Sequence, residues 1–358
     1  MCALAKDRAC RLTAQVFHMK MTNTMRRKIA AQAVFISLTL IACGQSPSPE
    51  VSNADGPAVA AQVPAEKPSS SSGQQPYVYN PPVLLADLED RAVNESSGIV
   101  ASRRNPDLFW THNDSGDGPF LYAFDRGGKR RGVWRVAGAE ARDWEDIAIG
   151  PGPEPGRAYI YIGDIGDNGK ERGELIIYRV AEPEINPQDA SSFRENPRLT
   201  APAEAIRVTY PDGKHDAEAL MVHPVTGDLY IVTKKKDSAA GVYKIAAPLN
   251  ASGVKRMARV GEVSLPGLTG SMITGGDIAP DGLRVALCDY FMAYEISLPE
   301  GAGDGFDAIW KQTPMPVNIG ARRQGEAVCY RADGKALLAT SERVPCPLLE
   351  AARSDSTH

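Results

Sequence analysis

The sequence predicts an all-β fold, a five-bladed β-propeller, and three observations carry that prediction. Five segments repeat a pattern of small and acidic residues running into an apolar strand: Glu95 to Val100, Asp143 to Ala148, Asp216 to Met221, Thr274 to Ala279 and Gln324 to Cys329. With Ser97, Glu145, Glu218, Gly276 and Glu326 as equivalent positions, the spacings are 48, 73, 58 and 50 residues. Strand-like runs bounded by Gly, Pro, Asn and Asp fill the chain from Pro81 onward, with no amphipathic helix longer than two turns. The ends also fit a ring, because the stretch after Glu326 and the stretch from Pro81 to Ser97 together match the shortest interval of 48 residues. Six blades is the alternative count.

The elements follow in order. Met25-Arg26-Arg27-Lys28 precedes an apolar run from Ile29 to Ala42, the pattern of a secretory signal, and the run is too short to span a membrane. Met21 or Met25 is a more natural start than Met1, and residues 1 to 42 are set aside as leader. Leu40-Ile41-Ala42-Cys43 resembles the lipobox of bacterial lipoproteins, which implies that Cys43 becomes a lipidated first residue. The 37 residues from Gly44 to Asn80 are rich in Ser, Pro, Ala and Gln and have little to bury, so residues 43 to 80 read as a flexible, lipid-anchored tether. The propeller domain is residues 81 to 358. Val83 to Leu88 is predicted to be the outer strand of the last blade, closing the ring and covering an open edge.

Each repeat is followed by a turn and a second apolar run: Leu108 to His112, Tyr159 to Gly163, Leu229 to Thr233, Arg284 to Cys288 and Ala336 to Thr340. A third run follows in four of them: Leu121 to Phe124, Leu175 to Val180, Val242 to Ile245 and Met292 to Ile296. The long interval holds Pro183 to Pro202, read as an insertion between third and fourth strands. In the last blade only Cys346 to Glu350 is left for a third strand, so that blade is expected to be irregular.

Charge narrows the partners. The whole chain has a net charge of -4, and beyond the leader 33 basic face 43 acidic side chains. Nucleic acid, which needs a basic stripe, is excluded. Beyond Cys43 the propeller holds Cys288, Cys329 and Cys346, so one disulfide at most can form, and Cys329 with Cys346 is the pairing to test. Nothing in the pattern asks for an oligomer, and a monomer is expected.

In an antiparallel hairpin the start of the first strand and the end of the second share a rim. Both places are acidic here. First-strand starts supply Glu95, Asp143, Glu145, Asp146, Asp216, Glu218, Asp277 and Glu326; second-strand ends supply Asn113, Asp114, Asp164, Asp167, Asn168, Asp289 and Glu342. In a propeller these converge on one mouth of the central channel, where like charges raise one another's pKa unless compensated. Arg142, His215 and Arg323, each three residues before a repeat Glu, and Lys234 are the protein cations at hand. A divalent ion is the other solution: the loops Asn113 to Gly118 and Asp164 to Gly169 offer the hard oxygen ligands that calcium takes, without EF-hand spacing. On this reading Glu95, Asp146, Asp164, Asp167, Asn168 and Asp277 are candidate metal ligands, and Asn113, Asp114, Trp144 and Lys234 candidate ligand-binding residues.

The same residues have structural readings. Glu145, Glu218 and Glu326 can lock the ring by accepting backbone N–H bonds from the neighbouring blade. Asp114, Asp164 and Asp167 can hold their own loops as Asx turns. Trp144 can fill an inter-blade gap, and His112, at a strand end without a defined partner, reads as a structural histidine, with an acid or base as the alternative.

The stretches "SSGIVASRRNPDLFWTHNDSGD", "WEDIAIGPG", "YIYIGDIGDN", "DAEALMVHPVTGDLYIVTK" and "GEAVCYRADGKALLATSE" resemble a group of exported bacterial propeller proteins without an assigned activity. More distantly the pattern is similar to phytase-like and strictosidine-synthase or gluconolactonase-like propellers. That likeness implies a metal at the channel mouth acting on phosphate esters or lactones, with Glu95, Glu145, Glu218, Asp277 and Glu326 as the residues to test. No G-x-S-x-G, H-E-x-x-H or P-loop motif is present. The leading expectation is therefore a lipid-anchored propeller, periplasmic or at the cell surface, with an acidic, calcium-binding mouth for a protein or an anionic small molecule. Gly44 after the lipidated cysteine favours the outer membrane. The alternative is a metal-dependent hydrolase using Glu145, Glu218 and Glu326, with Arg142, His215 and Arg323 holding an anionic substrate.

Overall fold

The computed structural model describes residues 78–267, 270–302 and 305–354. The leader, Cys43 and nearly all of the tether lie outside them. The described residues form five antiparallel-based sheets, one per repeat. Strand β1 (Val83–Asp87) comes first. The first blade is β2 (Ser96–Ala101), β3 (Leu108–Asn113), β4 (Phe120–Asp125) and β5 (Arg130–Arg135); the second is β6 (Trp144–Pro151), β7 (Ala158–Asp164) and β8 (Leu175–Ala181), then, after the two-residue β9 (Arg198–Leu199), β10 (Glu204–Thr209). The third is β11 (Ala217–Val222), β12 (Leu229–Thr233), β13 (Ala240–Ile245) and, after β14 (Val254–Arg256), β15 (Ala258–Val263). The fourth is β16 (Gly275–Ile278), β17 (Arg284–Cys288), β18 (Ala293–Ser297) and β19 (Met315–Val317). The fifth is β20 (Gly325–Tyr330), β21 (Ala336–Ser341) and β22 (Pro347–Ala352), completed by β1.

Five blades and closure by the N-terminal strand match the sequence expectation. Val83 pairs with Glu350 and Asp87 with Pro347, so the last blade is a full four-stranded sheet rather than an irregular one. The insertion after Pro183 does separate third and fourth strands, and it has a use of its own. From it β9 reaches back to pair in parallel with β5 of the first blade, and β14 likewise pairs in parallel with β10 of the second. Each covers an outer edge of the preceding blade with chain from the next.

The innermost strands β2, β6, β11, β16 and β20 pack in sequence, and β20 returns to β2. Apolar side chains fall into five buried clusters, one per blade interface; Trp110, Trp134 and Trp144 fill that between the first two blades. Cys288, Cys329 and Cys346 are buried free thiols, which corrects the expected Cys329 to Cys346 link: they sit among packed apolar side chains and serve as small hydrophobes.

Polar locks tie the ring. Asp146 Oδ2 accepts N–H bonds from Leu220 (2.9 Å) in the third blade and Gly276 (3.2 Å) in the fourth, while its Oδ1 takes Ile147 N (2.8 Å). Asp277 Oδ2 takes Tyr330 N (2.9 Å) in the fifth, Ser97 Oγ donates to Glu145 O (2.6 Å), and the Ser96 and Thr340 hydroxyls meet at 2.8 Å. A carboxylate locking role was expected of Glu145, Glu218 and Glu326; the structure gives it to Asp146 and Asp277, one residue further on.

Candidate functional site: the channel mouth

The displacement has a local cause. Ser97, Glu145, Glu218 and Glu326 each sit at a β-bulge: Trp144 pairs with Asp164 and Asp146 with Gly163, leaving Glu145 unpaired, and the same slip flanks Ser97, Glu218 and Glu326. A bulge inserts one residue and re-aims its side chain, so the repeat acid leaves the alternation and the next residue takes the place facing the adjacent blade. The fourth blade, with Gly276, has no such slip.

The bulges bring Asp114, Asp143 and Glu145 together: one carboxylate oxygen from each lies within 4.8 Å of the others. Glu145 is only 5% exposed. Among the described residues no cation pairs with these three carboxylates, and no protein N–H or O–H is aimed at those of Asp143 or Glu145. Burial, then the charges of Asp114 and Asp216, push Asp143 up to about 6. Burial, then Glu218 and Asp114, push Glu145 well above the usual carboxylate range.

Backbone geometry holds the cluster tight. Gly166 N donates to Asp143 O (3.2 Å), and a Cβ at Gly166 would lie 2.1 Å from Glu145 Oε1 and 2.5 Å from Asp143 Oδ2. Only glycine lets the loop after β7 close over these oxygens. Gly166→Ala should therefore splay the two carboxylates and lower affinity for a divalent ion about tenfold or more with the fold kept, as read by calorimetric titration and circular dichroism.

In the third blade, Lys234 Nζ donates to both oxygens of Glu218 and lies 5.0 Å from the Tyr290 ring centre. Burial, against the pull of Lys234, pushes Glu218 up to about 7. Burial would lower Lys234, but Glu218, Tyr290 and Glu326 outweigh it and raise its pKa. Glu326 is raised by burial and by Glu218, and its Oε1 accepts from Gln324 Nε2 (3.0 Å).

Other sequence candidates are placed elsewhere or are occupied. Asp146 and Asp277 hold backbone N–H groups as described. Asp164 is paired with the buried Arg172, whose Nη1 is 2.7 Å from Oδ1 and also donates to Gly166 O (2.9 Å). Asp167 caps its own loop through Glu171 N and Arg172 N, and Asn168 is exposed. Asn113 holds the turn before β2, accepting from Asn94 N and Glu95 N at 3.1 Å each, while Glu95 O accepts Asp114 N (2.9 Å). Trp144 is fully buried between His112 and Tyr178 and donates to Glu140 O (3.0 Å), so its ring does not face the opening. Arg142 is exposed and contributes its backbone N–H to Asp164; exposed Arg323 reaches Val344 O (3.4 Å). His215 bonds Asp212 (3.0 Å) and Lys235 (3.3 Å) and stacks on Tyr243. Buried His112 bonds Asn113 O (2.8 Å), and burial lowers it to about 4. The sequence places Asp143 among the acids of the mouth without making it a candidate ligand, and it does not single out Gly166 or Arg172. For Asp143 the signal was its place in "DWEDIAIG" against "GDIGDNG"; Arg172 had none.

No family model matches the chain, and no curated protein does. Among solved structures it is similar to the hydrazine synthase of Kuenenia stuttgartiensis, at 11% identity and a TM-score of 0.37, over 73% of this chain and 72% of that one. Nothing about the mouth rests on that likeness.

Proposed function

We propose that this chain is an exported, lipid-anchored propeller whose channel mouth binds a divalent cation, calcium foremost, and offers it to an anionic ligand or partner. The observation that carries the reading is the convergence of Asp114, Asp143 and Glu145 with no cation paired to them among the described residues, the charge of Arg172 reaching Asp143 only through space. Their donor set is all hard oxygen, and Gly166 lets the loop after β7 come close to the Asp143 and Glu145 carboxylates. Glu145 and Asp143 would ligate from one blade and Asp114 from its neighbour, so an ion there would also join the first two blades. Calorimetric titration of chelator-stripped protein with calcium should give saturable binding, weakened at least tenfold in Glu145→Gln; identical heats from both proteins would sink the reading. Export and anchoring are supported by the basic and apolar leader and by the Leu40 to Cys43 motif. Cys43→Ala should move the protein from the membrane to the soluble fraction.

A second reading, metal-dependent hydrolysis of a phosphate ester or lactone, is favoured by one feature: Glu218, pushed up to about 7, stands beside the cluster. A bound divalent ion would polarise the substrate. Glu218 would take the proton of the attacking water, with Lys234 stabilising the carboxylate between turnovers. Turnover of such substrates, lost in Glu218→Gln while calcium binding survives, would establish this reading over simple binding.

A further inference from the structure

The mouth solves one electrostatic problem in two ways. In each blade the residue after the second strand's last paired position holds an equivalent backbone place: Asp114, Ile165, Lys234, Asp289 and Glu342, of which Ile165 packs into the apolar cluster between the second and third blades. Three are acids, and only the third blade has a base. Its ammonium lies on the bulge acid of the same hairpin, Glu218, and the two side chains are 12% and 7% exposed. Glu326, from the fifth blade, also feels both charges. Asp114 and Glu145 come from different hairpins, and the second blade has the buried, apolar Ile165 at the chain position that Lys234 holds in the third. Among the described residues no ammonium pairs with those two acids.

We propose that Lys234 is a built-in counter-ion occupying the place of a second metal: the mouth takes one divalent ion, at Asp114, Asp143 and Glu145, and is closed to another at Glu218 and Glu326. The first clause rests on the ion site proposed above; the second does not. An ammonium is a compact point charge with three donors, and at Glu218 it contacts both carboxylate oxygens as a small cation would. Removing it leaves two buried, like-charged carboxylates that must recruit another cation or protonate. The single-ion mouth also bears on chemistry. A mechanism needing two metals to clamp the attacking and leaving oxygens is not accommodated, whereas one ion beside a fixed ammonium is.

The test is ion stoichiometry. Wild-type protein and Lys234→Arg should bind one calcium each by calorimetric titration. Lys234→Met should bind two, and Lys234→Met combined with Glu218→Gln should return to one. The same samples report by thermal midpoint: saturating calcium should raise that of Lys234→Met roughly twice as far as that of wild type, which also serves if the ion-free variant is poorly folded. Two ions on wild type, or one on Lys234→Met with an unchanged midpoint response, would overturn the inference. No ion on wild type and one on Lys234→Met would uphold Lys234 as counter-ion and refute the site at Asp143 and Glu145. No ion on either protein removes both.

Discussion

Asp146→Ala is expected to cost roughly 3–5 kcal/mol of stability, the largest loss of any single substitution considered for this protein. The carboxylate is 1% exposed and accepts from Leu220 and Gly276, which belong to two further blades. Alanine leaves both N–H groups buried and unsatisfied, and the whole desolvation penalty falls on them because water has no ready access to the packed inner strands. Asp146→Asn is the informative companion. An amide oxygen can keep the bonds from Leu220 and Gly276 and gives up only Ile147 N, so its cost should be about 1 kcal/mol. Denaturant melts of both variants check the ratio. Calcium titration of Asp146→Asn checks the role, because a locking residue leaves ion affinity unchanged and a ligand does not.

Ion-free protein should lose about 1 kcal/mol or more of stability as pH rises from 6.5 to 8, and calcium should reduce that loss. The sign follows from the mouth. Glu145, Glu218 and Glu326 have folded-state pKa values above their unfolded ones, Glu218 at about 7 against 4.5. The native state therefore holds protons that the unfolded state has released. The associated stability is complete below the unfolded pKa and drains away as pH rises through the folded value. Asp143, raised to about 6, contributes the same way lower down. His112 and His223, depressed by burial, act with opposite sign below 6.5, where the unfolded chain takes up protons that the folded one refuses. Paired acids such as Asp228 and Asp333, whose pKa values are lowered, lose their contribution only at lower pH still. In the window from 6.5 to 8 the mouth acids therefore act with Asp146, which burial also raises, and not with the histidines or paired acids. Bound calcium favours the ionised carboxylates of Asp143 and Glu145, so the slope should flatten and the thermal midpoint at pH 8 should rise by roughly 5–10 °C at saturation. A midpoint that climbs with pH in chelator would contradict this account of the mouth.

Much of the ring is legible from the chain. Ser97, Glu145, Glu218, Gly276 and Glu326 mark the blades because every blade must place the same inner strand against the axis, and that demand repeats in the residues. The start at Val83 is legible from length alone. The site is legible only as a neighbourhood. Strict alternation from Glu145 to Ile147 and Ile149 puts the repeat acid on the face that packs against the next blade, and that reading assigns the locking role to the wrong carboxylate. The bulge that reverses it is a choice of backbone pairing, with no residue type that announces it.

The sequence by itself determined that five acidic hairpins close into a ring and that their acids share one rim, because strand period, turn residues and repeat spacing are local properties. Which acid is locked, which is neutralised and which is left bare was decided by tertiary structure alone. Asp146 meets Leu220 and Gly276, Asp164 meets Arg172 and Glu218 meets Lys234, while Asp143 and Glu145 meet Asp114. The physical reason is that a carboxylate's state depends on the few ångströms around it. Apart from Glu218 and Lys234, which one hairpin brings together, those neighbours are set by bulges, loop closure and the docking of separate blades.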